Sequence, residues 1–398
     1  MNFSYQDMLQ LQKGQPPENS DFILDVTLGK ENWIDNFFGN CLDRYVAHGG
    51  SKVKVLVGSE GSGKTHLLKY IQFKAEAQGY ETISFSARDN EVKLNDIIGF
   101  YKAIATRLDK EKIIRGFCNK VAERLGYGPE KYDGTQKLLP FLIEDGITRY
   151  DAEREIRNAV GRVIKEAGFS PSFSAYSFII TRDRMVSGTD EGTKIANKWL
   201  NGEKLERYER QISSLFEPLQ KSNARYWLNS LIKLLNFSDI KGLIVQIDNI
   251  EVLTEKSTES NRFLYTPNAI KDVCELIRQI IDDVELLNRF VLILAGRRSI
   301  IDDEKRGFRS YEALWMRLQS GLVPSKKFNA FSDVVDVDKH LEALGTDFPG
   351  HLSVHMVKVM QSFGFKRKFM EDLPKVQSMG TLREIVMENA IMSERMEI

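Results

Sequence analysis

The order of apolar runs and glycine turns in this chain points to an α/β fold. It should have a parallel sheet with helices on both faces, a long helical insertion and a helical C-terminal lid. Three observations carry that expectation. Val53-Lys54-Val55-Leu56-Val57 is a β-branched run that stops at a glycine-rich turn, Gly58-Ser59-Glu60-Gly61-Ser62-Gly63-Lys64-Thr65. His66 follows, and Leu67, Leu68, Ile71 and Ala75 then share one helical stripe. Far along the chain, Leu243-Ile244-Val245-Gln246-Ile247-Asp248 is apolar on both faces apart from Gln246, as a central parallel strand must be.

The remaining elements follow in chain order. Residues 1–50 read as a lead-in, with an amphipathic start broken by Lys13-Gly14-Gln15-Pro16-Pro17. Phe22-Ile23-Leu24-Asp25-Val26 has the look of a short strand before Gly29. Trp33, Ile34, Phe37, Phe38, Leu42 and Tyr45 recur at helical spacing and predict a helix from Asn32 to Tyr45. A domain over 51–338 then carries the sheet. Its second strand is Glu81–Ser86, after Gly79. From about 91 to 240 the pattern is largely helical, broken near Gly126–Pro129, Gly168–Pro171 and Gly188–Gly192. Phe290–Ala295, closed by Gly296, and Asp333–Val337 complete the strands. Residues 339–398 turn helical again as the lid, with breaks at Gly345, Pro349-Gly350 and Gly364.

Composition narrows the class. The 398 residues allow about two or three domains. Basic and acidic residues number 56 each, so attraction of the whole molecule to nucleic acid or anionic membrane is not indicated. Cys41, Cys118 and Cys274 are odd in number and widely spaced, which suggests reduced thiols rather than a disulfide scaffold. There is no secretory pattern at Met1–Asp7 and no run of about 18 apolar residues. The expectation is a soluble, cytoplasmic protein with no membrane partner.

Gly58–Thr65 fits G-x-x-x-x-G-K-[ST], and its setting between strand and helix makes it an anion hole. Backbone N–H groups of Gly58, Ser59, Glu60, Gly61, Ser62, Gly63, Lys64, Thr65 and His66, together with the positive helix end, would face the phosphates of a nucleoside triphosphate. Lys64 would reach the β/γ oxygens, and Thr65 would hold Mg²⁺ through its hydroxyl. Asp248, emerging at a strand's carboxyl end, would hold the same ion directly or through water. Asn249 stands where such ATPases place a glutamate to polarise the attacking water; an amide can orient that water but cannot take its proton. Glu251 lies two residues on.

Arg297, Arg298 and Ser299, after the Phe290–Ala295 strand, are candidates to meet the γ-phosphate or the lytic water; the alternative is a solvated basic turn. Arg306 or Arg309 would act as a finger on a neighbouring subunit's nucleotide, or pair on the surface, and Arg317 is open to the same two roles. His351 and His355, four apart, would share a metal or simply pack. Lys326-Lys327 and Lys366-Arg367-Lys368 are too short to argue nucleic-acid binding alone.

Several blocks in order carry a family resemblance. Lys13-Gly14-Gln15-Pro16-Pro17 is similar to a G-x-P-P lead-in, Thr27–Glu31 to a V-G-R-E segment, and Gly58–Thr65 to a G-E-Y-G-S-G-K-T loop. Trp199–Glu203 is similar to W-L-x-G-E, Gly242–Glu251 to G-L-hhhh-D-E-x-E, Arg306–Leu314 to R-G-x-x-S-Y-x-x-L, and Thr381–Glu384 to a P-R-E block. Together they resemble the ATP-binding P-loop proteins of BREX-type phage-defence systems, in the AAA+/STAND-like branch near the origin-recognition ATPases. The departures fall at Asn249 and at Gly296–Ser299, which replaces a G-T-P-E segment. The resemblance implies an AAA+-like P-loop NTPase fold, ATP and Mg²⁺ as cofactors, an adenine-side position for residues near Thr27, and Arg383 as a lid arginine sensing the γ-phosphate. It implies a component of a multi-protein defence system, with double-stranded DNA and an ATP-dependent homo-oligomer among its partners. A STAND-type switch or transposition-type adaptor with little hydrolysis is the other function it allows.

Overall fold

In the computed structural model, residues 3–89, 92–283, 286–319, 332–367 and 381–396 are described. Five parallel strands form the main sheet: β1 (Ser51–Val57), β2 (Glu81–Ser86), β3 (Leu243–Asp248), β4 (Phe290–Gly296) and β5 (Val334–Asp336). Their spatial order is β2-β3-β4-β1-β5. Val55, Leu56 and Val57 of β1 register with Val334, Val335 and Asp336 of β5. Because β3 and β4 lie on one side of β1 and β5 on the other, the carboxyl ends of four strands converge on the turn at Gly58.

Burial explains the strand sequences. The helix Lys64–Ala77 lays Leu67, Leu68, Ile71 and Ala75 into a cluster with Leu56, Ile244, Val291, Ile293, Ala295 and Val335. Alternation along β1 turns Val55 and Val57 to the opposite face, where they are equally buried. The helix Pro267–Asp282 packs against β1, capped by Thr266 and started by Pro267, whose missing N–H costs nothing there.

The chain divides into two compact units. One comprises Met1–Asn90, Ile244–Val284 and Val291–Ile398; the other comprises Glu91–Leu243 and Glu285–Phe290. The second is helical, from Ile97–Arg107 through Ala224–Phe237, with side-chain caps from Asp96, Asp109, Thr148 and Ser170. Trp199 and Trp227 sit at its centre, ring centroids 4.4 Å apart, and the Trp199 indole donates to the Glu217 carbonyl at 2.7 Å. The W-L-x-G-E block therefore serves a core.

Three local expectations are corrected. Phe22–Val26 is not a strand but part of the helix Ser20–Val26: Asn19 accepts from the Phe22 N–H, and Phe22, Ile23 and Val26 bury one helical face. The stretch from Asn32 to Tyr45 is no single α-helix; a turn at Ile34–Asn36 runs into a π-helix at Phe37–Asp43, which buries Phe37, Phe38 and Leu42. Pro349-Gly350 does not break the C-terminal helical pattern but sits in the first turn of the helix Phe348–Ser362.

The C-terminal residues also hold a two-stranded antiparallel pair, β6 (Phe365–Arg367) with β7 (Ser393–Arg395). Phe3, Met8, Leu11, Phe22 and Val26 of the lead-in share a core with Met356, Val359, Met360, Phe365 and Ala390. Of the small basic clusters, Lys326-Lys327 and Lys368 lie outside the described residues; Lys366 lies 3.4 Å from Glu394 across the β6–β7 pair.

Candidate functional site

The turn after β1 is tight. Gly61 and Gly63 have φ of 77° and 91°, and Gly63 is the residue from which the helix Lys64–Ala77 starts. A Cβ at Gly58 would stand 2.8 Å from Ser62 Oγ and 3.2 Å from Val337 Cβ, so the loop hugs the start of the helix Val337–Ala343. Asp338 on that helix clamps the loop: its Oδ2 accepts from the Ser59 N–H and its Oδ1 from the Ser59 hydroxyl, both at 2.8 Å.

Residues Glu60–His66 line a cavity of about 510 Å³. Lys64 Nζ is folded back onto the loop, 2.6 Å from Ser59 O and 3.1 Å from Gly58 O. Burial lowers the Lys64 pKa, opposed by the nearby carboxylates of Glu251 and Asp248. The Thr65 hydroxyl donates to Asp248 Oδ2 at 2.6 Å. Burial pushes the Asp248 carboxyl up, while the bonds from Thr65 and the Asn249 N–H pull it down.

Asn249 adopts a left-handed conformation, φ 59° and ψ 35°, which Asn tolerates better than longer side chains. Its amide donates to Ser86 Oγ at 3.0 Å. Glu251 is 4% exposed and held on both oxygens: Arg88 donates to Oε1 at 3.1 Å and the Arg297 N–H to Oε2 at 3.2 Å. Arg88 also binds Glu255.

The three residues after β4 part company. Arg297 lines the cavity and donates to Glu60 at 2.7 Å. Arg298 turns to Asp336 and Asp302, and Ser299 meets the Thr254 hydroxyl at 3.0 Å. Arg383 comes to the same cavity from the C-terminal helix Leu382–Ile391; its N–H donates to Gly61 O at 3.2 Å and its guanidinium to Lys13 O at 3.3 Å. Pro16, Pro17, Leu28, Leu344 and Phe348 give the cavity an apolar wall.

His66 bonds Thr27 Oγ1 at 2.8 Å, and the Thr27 hydroxyl gives its proton to Ile23 O at 2.6 Å. Thr27 therefore accepts, and His66 carries its proton on Nε2. Burial presses its pKa down to about 4.

The other arginine candidates do not line this cavity. Arg306 donates to Tyr265 O at 2.9 Å and lies over the Phe263 ring. Arg309 lies over Trp315, with Glu304 3.8 Å away. Arg317 forks onto Asp282 at 2.5 and 2.8 Å, an internal ion pair. His355 Nε2 bonds the Asp25 carbonyl at 2.8 Å, which takes that nitrogen from any metal shared with His351.

Sequence reasoning missed Arg88 and Asp338. Both stand just beyond the carboxyl end of a strand, β2 and β5, where strand order rather than any motif brings them to the loop.

The glycine-rich loop Gly58–Thr65, a strand-end aspartate within reach of its threonine, and an apolar wall now stand in one cavity. The model of the family described as BREX system ATP-binding protein BrxC/D matches residues 10–362. The chain belongs to this family. No curated protein matches the chain. The BrxC/D description supports ATP as the ligand, and the cavity suits it: the loop supplies N–H donors and an ammonium, the wall an apolar face for a base. Among the described residues no helix is long and apolar enough to cross a membrane.

Proposed function

We propose that the chain binds Mg·ATP in this cavity and acts as a nucleotide-dependent component of a multi-protein phage-defence system, hydrolysing ATP slowly or when a partner stimulates it. The 2.6 Å contact between Thr65 Oγ1 and Asp248 Oδ2, beside the Lys64 ammonium, carries the reading. Two hard oxygen ligands meet where the loop would present a triphosphate, and they would hold Mg²⁺. When bound, the ion would neutralise phosphoryl charge and act as a Lewis acid. Lys64 would exchange the carbonyls of Gly58 and Ser59 for phosphate oxygens. Residues 1–50 would supply the base-side wall and residues 339–398 the lid.

The slow rate follows from the chain's own groups. Asn249 can hold a water by its amide but cannot take a proton. Glu251 is buried and already accepts on both oxygens, from Arg88 and from the Arg297 N–H, so it does not stand as a free base beside a water. The same two facts favour a second reading, a STAND-type switch or transposition-type adaptor that binds ATP and protein partners with little hydrolysis. Self-association on ATP belongs to either reading, with Arg309 as the trans candidate now that Arg317 is committed to Asp282.

Lys64→Ala tests the site. The wild type should gain thermal stability with Mg·ATP and the variant should gain none. Stabilisation that survives the substitution sinks the site, and wild-type turnover at tens per second, within the common enzyme range, sinks the slow-hydrolysis reading.

A further inference from the structure

Glu60 is an acid inside a loop whose N–H groups and lysine would receive phosphate oxygens, and a carboxylate repels those. Its side chain is 64% exposed, yet both oxygens are engaged. Oε2 accepts from Arg297 at 2.7 Å, and Oε1 lies 3.6 Å from the Arg383 guanidinium. Arg297 follows β4, while Arg383 opens the C-terminal helix Leu382–Ile391 and touches Gly61 and Lys13 as well. One carboxylate thus joins the loop, the sheet tip and the C-terminal helix. A carboxylate between two guanidiniums occupies the kind of place that a terminal phosphate takes.

We propose that Glu60 is a specificity-determining residue: it holds Arg297 and Arg383 in place of a γ-phosphate and thereby sets how strongly the site prefers a nucleoside triphosphate over a diphosphate. The assignment rests on the ATP reading of the cavity. ATP brings a competing anion and draws both arginines away from Glu60. ADP lacks the terminal phosphate and leaves the Glu60 contacts closed. Glu60 therefore opposes ATP binding without opposing ADP binding equally, and it couples the departure of Arg383 to the C-terminal helix.

The test is calorimetric titration of a non-hydrolysable ATP analogue and of ADP, both with Mg²⁺, against wild type, Glu60→Gln, the Arg297→Gln/Arg383→Gln double variant and the triple variant. Glu60→Gln should tighten the analogue about three- to tenfold relative to ADP, the range two exposed ion pairs confer. In the arginine-free background the same change should leave the ratio unaltered. Hydrogen exchange of amides 382–391 in nucleotide-free Glu60→Gln should quicken, and the analogue should slow it again. An unchanged ratio in Glu60→Gln, or an equal gain without the arginines, overturns the assignment while leaving ATP binding intact. A wild type that binds neither nucleotide overturns both.

Discussion

Replacing Asn249 by glutamate should yield a less stable protein and a faster ATPase. The stability term is set by the backbone: at φ 59° and ψ 35° a glutamate pays the left-handed penalty of about 1–2 kcal/mol, which Asn largely escapes. The change also removes the amide donor to Ser86 Oγ, a loss of about 0.5–1.5 kcal/mol. Together these come to about 1.5–3.5 kcal/mol, or about 3–14 °C in Tm at the ~2–4 °C per kcal/mol typical of a unit this size. Asn249→Gly is the control, since glycine takes the left-handed conformation without strain; it loses the hydrogen bond and adds glycine's extra unfolded-chain entropy. A well-placed general base contributes about 10²–10⁴ in rate, so turnover should rise at least about tenfold. Scanning calorimetry of both variants and steady-state phosphate release measure the two effects. Asn249→Glu as stable as the wild type would refute the backbone argument. No gain in turnover would refute position 249 as the site of the missing base.

Two other measurements probe the cavity and its assembly. His66, with its pKa pressed to about 4 from an ordinary 6.5, folds uncharged, so the unfolded chain binds the extra proton; its contribution is intact above pH 6.5 and is lost as pH falls toward 4. Denaturant midpoints should therefore fall more steeply over that window in the wild type than in His66→Gln, and parallel profiles would contradict the assignment. Mass measurement with ADP and with a non-hydrolysable ATP analogue, each with and without duplex DNA, should show a larger assembly only with the analogue; an unchanged monomer removes the trans role of Arg309, and no shift with DNA at about 50 mM salt supports the adaptor reading.

The parts of the site that could be read from the sequence are local ones. Strand, glycine turn and helix lie within Ser51–Ala77, and Asp248 ends an apolar run whose buried strand was apparent from both faces. The five apolar-rich residues Phe22–Val26 were ambiguous because so short a run suits either strand or helix; the Asn19 cap and the packing on Met356 and Met360 decide for helix. The three-residue strands β6 and β7 carry no period at all, and their pairing, Phe365 with Arg395, is long-range. Arg297 and Arg317 look alike in sequence, each a basic residue after an apolar stretch. Their roles diverge because Asp282 takes Arg317, whereas Glu60 takes Arg297. The phosphate-loop motif prescribes its glycines, lysine and threonine and leaves four positions open. Two of those open positions hold this loop to the rest of its unit: Ser59 on Asp338, and Glu60 on Arg297 and Arg383. In the proposed ATP site the fixed residues would bind phosphate, as the motif implies for any such loop. On the Glu60 proposal, the response to the phosphate would be set by residues the motif does not specify, and their roles are legible only through their partners.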